Sequence, residues 1–453
     1  MWNKTCENIF TELVEKLNRE NIRYFVLRNY EGLPENNSAK DLDIVVDPKQ
    51  LKNARMFLIE IYKENGLEYY DEARFDRIIC MHGMSIKNDM GIHVDMIGGY
   101  RAKGYEIYTF DELYSHTKQY KNFYVLDELF DGIMLLVYKI FGYKKPMLKE
   151  IYQQEIKECL KKYTEDFRRE IHSLFGFGFG NYILHAIEDD RFDDILKNTK
   201  KFNKNLKKFA RKKSITRAIT GKVAFLWQRA DRIIFRYRKY KRVFAVLGCD
   251  GSGKSTFIDE TVRHLNKYYV NDESDNRFHI YHFRPEIIPN LGEVGEKAKV
   301  MEQDKEFTKP HRSKPANPVS SFFRIIYYTF DYIVGWQKRI RKDVQFDGYS
   351  VFDRYSYDLI VDPVRTKLNL PKWMRRFFVR LTPQPGVVFI LIASVDTIHS
   401  RKQELDRAEI ERQLEEYKKL GEKNKRFHFV NAEKTPEEMA GYASRTVLDY
   451  YAR

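Results

Sequence analysis

The stretch RVFAVLGCDGSGKST (242–256) decides the fold of the second half of the chain. Its apolar first half reads as a buried strand, and its second half satisfies the pattern G-x-x-x-x-G-K-[ST]. In that pattern the glycines let backbone N–H groups approach phosphates, the lysine offsets their charge and the serine hydroxyl coordinates Mg²⁺. The stretch therefore predicts a phosphate-binding loop between a strand and a helix that begins at Lys254.

The chain beyond this loop alternates between strand and helix patterns. Short apolar runs occur at RVFAVLG, RFHIYHF, YSVFD, GVVFILIA and RFHFV, and helical patterns separate them. Such alternation predicts parallel strands whose two faces are covered by helices. We therefore expect residues 243–453 to form one α/β domain, with a parallel sheet and helices on both faces.

The loop itself supplies the predicted binding residues for ATP and Mg²⁺. They are Gly248, Cys249, Asp250, Gly251, Ser252, Gly253, Lys254, Ser255 and Thr256. Asp250 is unusual, because an acid beside transferring phosphates costs electrostatic energy unless it has a role. We expect Asp250 to accept a hydrogen bond from the acceptor hydroxyl, or to act as a base together with Asp353.

Two further stretches extend this pattern. VFDRYSYDLIVDP (351–363) ends a strand with Asp-Arg-Tyr, and residues 393–420 carry arginines on a helical pattern. Together with the loop, they resemble thymidylate kinases over nearly all of 243–453. The resemblance implies phosphoryl transfer, with Ser255 and Asp353 beside Mg²⁺ and arginines around the transferring group. The catalytic residues that it implies are Lys254, Asp250, Asp353, Arg354 and Arg401.

The sequence identifies the acceptor of the phosphate less specifically than the donor. Thymidylate kinases carry an Arg-Glu-Pro-Gly loop after the second strand, whereas this chain has HIYHFRPEIIPN (279–290), which keeps a cation at Arg284. The predicted acceptor-binding residues are Arg284, Arg354 and Arg407. Kinase-like domains with this strand end also resemble proteins of bacterial surface-polysaccharide assembly. The predicted acceptor is therefore a nucleotide or a carbohydrate, the latter in glycan biosynthesis.

The first half of the chain contains a second set of acidic residues. Asp41 and Asp43 are two residues apart on a predicted strand, so their side chains face the same side, and Asp95 lies on a later strand. Three converging carboxylates can hold Mg²⁺ for attack on a nucleotide α-phosphate. The arrangement resembles the nucleotidyltransferase fold of aminoglycoside-modifying and antitoxin-type enzymes over about 20–140.

This resemblance implies a smaller α/β domain over 1–125, followed by a helical extension over 126–196. Such a domain either transfers a nucleotidyl group or binds a nucleotide or sugar phosphate without transferring anything. The Gly-Ser turn that usually cradles the triphosphate is replaced here by LRNYEGLP, in which Arg28 offers a charge in place of backbone donors.

A basic segment, predicted to be a linker, joins the two domains over 197–242. It carries 18 Lys or Arg and one acid, Asp231, so its charge of +17 leaves the rest of the +15 chain close to neutral. Residues 218–240 read as a helix with an apolar face and a basic face. We consider three roles for this segment, in descending order. The first is a connector whose apolar face packs on one of the domains. The second is binding to an anionic membrane surface, and the third is binding to nucleic acid.

Composition places the chain among folded proteins. Its 453 residues are 43% hydrophobic and 32% charged, which excludes global disorder, and no uncharged apolar run is long enough to cross a membrane. Four scattered cysteines form neither a metal motif nor a disulfide framework. We expect a cytoplasmic enzyme, peripheral to the inner face of the membrane if the basic segment binds lipid. The alternatives are nucleotidyltransferase activity of the first domain and a nucleotide-binding scaffold at a membrane surface.

Overall fold

The computed structural model describes residues 2–37, 41–75, 77–85, 87–88, 90–143, 146–234, 242–269, 277–288, 317–344, 348–422 and 424–451. Side chains are described in these ranges except at 70–75 and 231–234. Contacts within the chain divide it into two compact units, Met1–Arg232 and Ile233–Arg453. Each unit is described by itself below.

A seven-stranded mixed sheet forms the centre of the first unit. Its strands are β1 (Tyr24–Val26), β2 (Leu42–Val46), β3 (Glu68–Phe75), β4 (Ile78–Ser85), β5 (Met90–Gly98), β6 (Thr117–Tyr120) and β7 (Phe123–Leu126). Their order is β3-β4-β5-β2-β1-β7-β6. β2 runs parallel to β5, and this register places Asp43 opposite Asp95. The two acids that the sequence separates by about fifty positions are therefore cross-strand neighbours.

The helices of the first unit cover this sheet. They are α1 (Lys4–Arg19), α2 (Leu51–Glu64), α3 (Phe110–Tyr114), α4 (Glu128–Phe141), α5 (Glu150–Lys162), α6 (Thr164–Phe175), α7 (Phe177–Glu188), α8 (Phe192–Lys197), α9 (Thr199–Lys213) and α10 (Ile215–Ile234). α1 begins where the Asn3 side chain accepts a hydrogen bond from the Cys6 backbone N–H, and its apolar face is buried. Burial of such faces, rather than helix propensity, is the main source of stability for these helices.

The predicted basic linker needs correction, because α9 belongs to the first unit. Phe202, Leu206 and Ala210 on α9 are buried in the same apolar core as Phe25 and Val45 of the sheet. The apolar residues at every third or fourth position of the cationic run therefore pack, while the lysines between them face outward. α10 extends to Ile234, and the rest of the predicted helix, residues 235–240, lies outside the described residues.

A five-stranded parallel sheet forms the second unit and confirms the predicted fold class. Its strands are β8 (Val243–Leu247), β9 (Phe278–His282), β10 (Tyr349–Asp353), β11 (Val387–Ile392) and β12 (Phe427–Asn431). Their order is β12-β11-β8-β10-β9, and the neighbouring strands run parallel. β8 is central and buried throughout. The carboxyl ends of β8 and β10 therefore meet at one edge of the sheet, where α/β folds bind ligands.

Helices flank this sheet. They are α11 (Lys254–Tyr268), α12 (Pro318–Gly335), α13 (Arg341–Asp343), α14 (Asp358–Val361), α15 (Lys372–Leu381), α16 (Val395–Arg401), α17 (Arg407–Gly421) and α18 (Pro436–Tyr451), with a π-helical turn at Trp336–Ile340. The arginine-bearing helix predicted over 393–420 is two helices, because the chain is extended at Lys402 and Asp406 caps a new helix by accepting from the Glu409 N–H. Among the described residues, no helix combines the length and apolar character that a membrane span requires.

Candidate phosphate-binding site

The phosphate loop, Gly248–Thr256, follows β8 at the carboxyl edge of the parallel sheet. Gly248, Gly251 and Gly253 have φ angles of 151°, 88° and 86°, which favour glycine. An ideal Cβ at Gly248 would lie 2.7 Å from Ser252 Oγ, so a side chain there would collide within the loop. Because α11 begins at Lys254, within the loop, its N-terminal N–H groups add the positive end of a helix dipole. The loop therefore fits a polyphosphate.

Lys254 is the cation that this loop surrounds. Its side chain is buried, and its Nζ donates hydrogen bonds to the carbonyl oxygens of Gly248 (3.1 Å) and Cys249 (2.9 Å). Burial and the nearby charge of Arg354 lower the pKa of Lys254 to about 8, although Asp250 opposes the shift. A phosphate is a stronger partner for an ammonium group than a peptide carbonyl is, so a bound nucleotide would compete well for this side chain.

Asp250 lies between two arginines. Its Oδ1 is 2.5 Å from Nη2 of Arg354, and its Oδ2 is 2.5 Å from Nη1 of Arg365. Burial alone would raise the pKa of Asp250, but the charges of Arg354, Lys254 and Arg365 hold it well below its usual range. Asp250 is therefore suited to accept hydrogen bonds and to position these arginines, and it is a weak base.

Arg354 connects the loop to the interior of the unit. It is only 2% exposed, its backbone has a φ of 74°, and its second guanidinium nitrogen donates to Asp358 at 2.6 Å. Asp358 also accepts a hydrogen bond from the Tyr417 hydroxyl at 3.0 Å. A buried charge needs partners on every side, and here two carboxylates supply them. Arg354 therefore acts on the site through Asp250 and holds the loop against β10.

Asp353 ends β10 beside the loop. Its Oδ2 lies 3.3 Å from Nδ1 of His282, while its Oδ1 is buried without a hydrogen-bond partner among the described residues. Burial would raise the pKa of Asp353, but the His282 contact and the charge of Lys254 lower it on balance. A buried ionised oxygen with spare capacity fits a hard cation such as Mg²⁺. Ser255, which is exposed at the start of α11, would supply the other protein oxygen.

The remaining predicted arginines differ in their placement. Arg401 is near the loop: an ideal Cβ on Gly253 would lie 3.9 Å from its Nη1, which donates to the Ala432 carbonyl at 3.2 Å. Arg407 instead pairs with Asp396 at 2.5 Å on an exposed surface, where ion pairs contribute little. The structure therefore groups Arg401, but not Arg407, with the phosphate loop.

Arg284 was predicted to bind the acceptor, but the structure places its guanidinium group in an internal ion pair. Its side chain is buried, and its Nη1 donates to Asp331 on α12 at 2.9 Å and to the Ile288 carbonyl at 3.1 Å. Asp331 also accepts from the backbone N–H groups of Glu286, Ile287 and Ile288. Arg284 and Asp331 therefore hold the turn after β9 in place, and an acceptor would have to displace this pair to reach the guanidinium group.

Two residues near the loop escaped the sequence interpretation. Arg365 lies outside the quoted Asp-Arg-Tyr stretch, and only the fold brings it to Asp250. His282 was not among the predicted site residues, yet it lies directly opposite Asp353 in the register of β9 and β10. The signal for His282 was its position near the carboxyl end of the predicted strand RFHIYHF, because the carboxyl ends of neighbouring parallel strands meet at one edge.

The acids predicted in the first unit also come together. One carboxylate oxygen from each of Asp41, Asp43 and Asp95 lies within 4.8 Å of the others. Arg28 Nη2 approaches Asp43 at 3.3 Å, and His93 Nε2 approaches Asp95 at 2.9 Å. Burial and the charges of the other two acids raise the pKa of Asp43 to about 7. Three carboxylate oxygens at this spacing could together hold a hard cation such as Mg²⁺.

Comparison with known proteins adds little to this geometry. No protein-family profile matches the chain, and no curated protein matches it. Among solved structures, a thymidylate kinase from Ehrlichia chaffeensis is similar at 14% sequence identity and a TM-score of 0.30, over 46% of this chain and 98% of that one. A TM-score this low carries no argument about function. The strand order and the loop define the second unit as a P-loop α/β domain.

Proposed function

We propose that the second unit is an ATP-dependent phosphotransferase. The supporting observation is the convergence, at the carboxyl edge of one parallel sheet, of the phosphate loop, the buried Lys254 and the buried unpaired oxygen of Asp353. In this proposal the backbone N–H groups of Gly248–Thr256 and Lys254 bind the phosphates of ATP. Ser255 and Asp353 would hold Mg²⁺, which supplies positive charge beside the phosphate oxygens.

The proposed reaction moves the γ-phosphate of ATP to an acceptor oxygen. The bond from the acceptor oxygen to phosphorus forms while the bond to the β,γ-bridging oxygen breaks, so that ADP leaves. Asp250 orients the acceptor side by accepting hydrogen bonds, and Arg401 supplies charge to the transferring group. We propose that the acceptor is a nucleotide or a carbohydrate, the latter in glycan biosynthesis.

Replacement of the loop lysine tests the proposal. The full chain would be incubated with γ-labelled ATP and a panel of nucleoside monophosphates, sugars and glycan extracts, and the labelled species would be identified. We expect Lys254→Ala to lower transfer at least about 100-fold, because it removes a charge that is aimed at the transferring phosphate. Lys267→Ala, on the exposed part of the same helix, is the matched control.

Two results would contradict the proposal. Transfer by a folded Lys254→Ala variant at the wild-type rate would show that the loop is not the catalytic centre. Micromolar binding of ATP with no turnover for any acceptor would instead favour a nucleotide-binding scaffold.

A second candidate function rests on the acidic triad, Asp41, Asp43 and Asp95. The convergence of its oxygens within 4.8 Å supports a nucleotidyltransferase, in which a bound cation would activate a nucleotide for attack at its α-phosphate. The distinguishing measurement is release of pyrophosphate from a nucleoside triphosphate. This release should be lost when Asp41→Asn and Asp43→Asn are combined.

A further inference from the structure

α10 packs on the first unit through its smallest residues. Ala218 is buried in the core of that unit, and Gly221 meets Gly104 so closely that an ideal Cβ on Gly221 would lie 2.2 Å from the Gly104 carbonyl oxygen. An amphipathic helix on a globular protein normally turns its large apolar residues inward. Here small residues occupy the edge of closest approach, and five of the large apolar residues lie on another side of the helix.

Whereas Phe225 is half-buried, five large apolar residues of α10 are exposed to solvent and form what we call the outer stripe. Its members and their exposed fractions are Ile215 (66%), Ile219 (59%), Val223 (60%), Leu226 (52%) and Trp227 (66%). Spacings of three and four residues place them along one side of the helix. This finding opposes the connector interpretation, which expected the apolar face to pack. Single exposed apolar residues are ordinary, but a continuous row marks an interaction surface.

A cationic groove borders the outer stripe. It encloses about 1080 Å³, and its lining consists of Lys200, Lys201, Lys204, Asn205, Lys207, Lys208, Arg211, Lys212, Ile215 and Ile219. Ile215 and Ile219 belong to the stripe as well, so the apolar row forms one wall of the groove. The sequence from Lys197 to Ala230 contains 12 Lys or Arg and no Asp or Glu. The partner of this surface is therefore a polyanion that also accepts apolar side chains.

We propose that α9 and α10 bind the surface of an anionic lipid bilayer, with the outer stripe inserted among the acyl chains and the lysines of the groove beside the headgroups. A basic helix that presents aliphatic residues and a tryptophan on one side has the composition of an interfacial helix. Nucleic acid would satisfy the lysines but would leave Val223 and Leu226 exposed to water, because it is read by charge, hydrogen bonds and stacking. The proposal does not depend on phosphotransferase activity.

Vesicle co-sedimentation of the full chain tests the proposal. The probe is a vesicle of equimolar phosphatidylcholine and phosphatidylglycerol, compared with pure phosphatidylcholine. We expect binding to the anionic vesicle only, weakened by salt, because the lysines interact with surface charge within a Debye length. Combining Lys200→Glu, Lys204→Glu and Lys208→Glu should weaken this binding at least about 100-fold, since each basic residue near the surface contributes severalfold to the affinity.

The apolar stripe needs its own variant. Combining Val223→Ser and Trp227→Ser should weaken vesicle binding at least about tenfold, because it removes apolar area from the inserted face. The matched control combines Met147→Ser and Phe177→Ser, which are 63% and 73% exposed in the same unit but lie outside the stripe. ATP binding, measured in parallel on all variants, should not change.

Three outcomes would overturn the proposal. The first is absence of binding to anionic vesicles. The second is vesicle binding that the serine variant retains in full, which would indicate adsorption through charge alone. The third is binding of duplex DNA or single-stranded RNA more tightly than of anionic vesicles, with the same lysine dependence.

Discussion

At the level of single residues, Asp250 shows how basic neighbours keep one acid of the phosphate loop charged. Asp250 contacts Arg354 and Arg365, one with each carboxylate oxygen, so the surrounding region retains positive charge. The two arginines differ in burial: Arg354 is enclosed, whereas Arg365 is 24% exposed at the edge of the loop. Removal of Arg365 should therefore affect function with little effect on folding.

The variant Arg365→Met tests the role of Arg365 beside Asp250. We expect transfer of phosphate to fall about 10- to 100-fold, because Asp250 loses one of the partners that fix its orientation. The free energy of unfolding should change by less than about 1 kcal/mol, since the pair is partly exposed and Asp250 keeps Arg354. Steady-state kinetics and urea unfolding measure the two quantities. Arg380→Met, at an exposed position on α15, is the control, and equal activity in both variants would contradict the assignment.

Asp131 on α4 should make the stability of the first unit depend on pH. Burial raises its pKa to about 6, with Arg28 opposing and Glu155 and Glu31 adding to the shift. The carboxyl group titrates near pH 4 in the unfolded chain, so the folded protein binds the extra proton between about pH 4 and 6. Stability therefore falls as the pH rises through that window, and ionised Asp131 destabilises the protein above pH 6.

Replacing Asp131 by Asn should accordingly stabilise the first unit by about 1–3 kcal/mol at pH 7.5 and give no comparable gain at pH 4. Urea unfolding at the two pH values measures the difference. Asp193→Asn, at an exposed position, should show no such pH dependence. A gain of equal size at both pH values would show that the cause is packing rather than charge.

At the scale of elements, the sequence predicts best where one signal dominates. The apolar run of β8 and the glycine pattern after it predict the strand, the loop and the start of α11. These features are predictable because they depend on the local sequence. Asp41, Asp43 and Asp95 do lie close together, but Asp41 precedes β2, and the parallel register of β2 and β5 brings Asp95 opposite Asp43. The sequence predicts Arg284 as an acceptor-binding residue but does not reveal its partner Asp331, because Asp331 lies 47 residues away and only tertiary packing joins them.

Periodicity also does not determine which side of α10 packs against the protein. A helical wheel separates an apolar side from a basic side, but it does not say which side meets the protein. The contact of Gly221 with Gly104 decides this point, because only two glycines allow the backbones to approach so closely. Helix orientation was therefore set by the smallest residues of the segment, whereas the prediction relied on the largest ones.

A substitution at Gly221 tests the contact between Gly221 and Gly104. Gly221→Ala should destabilise the first unit by about 1–3 kcal/mol, because the added methyl group would collide with the Gly104 carbonyl oxygen and α10 would have to shift. Gly178→Ala is the matched control, since a Cβ there meets nothing within 4 Å and alanine favours a helix. Thermal unfolding measures both variants. A neutral Gly221→Ala variant would mean that α10 does not dock through this edge.

At the scale of the whole molecule, the chain contains two units with separate candidate sites. The acidic triad lies on the sheet of the first unit and the phosphate loop on the sheet of the second. The two sites present different groups: three carboxylates with Arg28 and His93 beside them in the first, and a backbone loop with a buried lysine in the second. We therefore propose a different reaction for each, attack at an α-phosphate in the first and transfer of a γ-phosphate in the second.

Because the two candidate sites belong to different units, we predict that the two proposed activities can be removed independently. Lys254→Ala should abolish transfer of the γ-phosphate and leave pyrophosphate release unchanged, because the contacts of Lys254 among the described residues are with Gly248, Cys249 and Asp250 of the second unit. Asp41→Asn combined with Asp43→Asn should do the reverse. Both assays would use the same full-length preparations, and unfolding curves that match the wild type would exclude loss of folding. If either variant removed both activities, the two centres would have to serve a single reaction, and their assignment to different chemistry would be wrong.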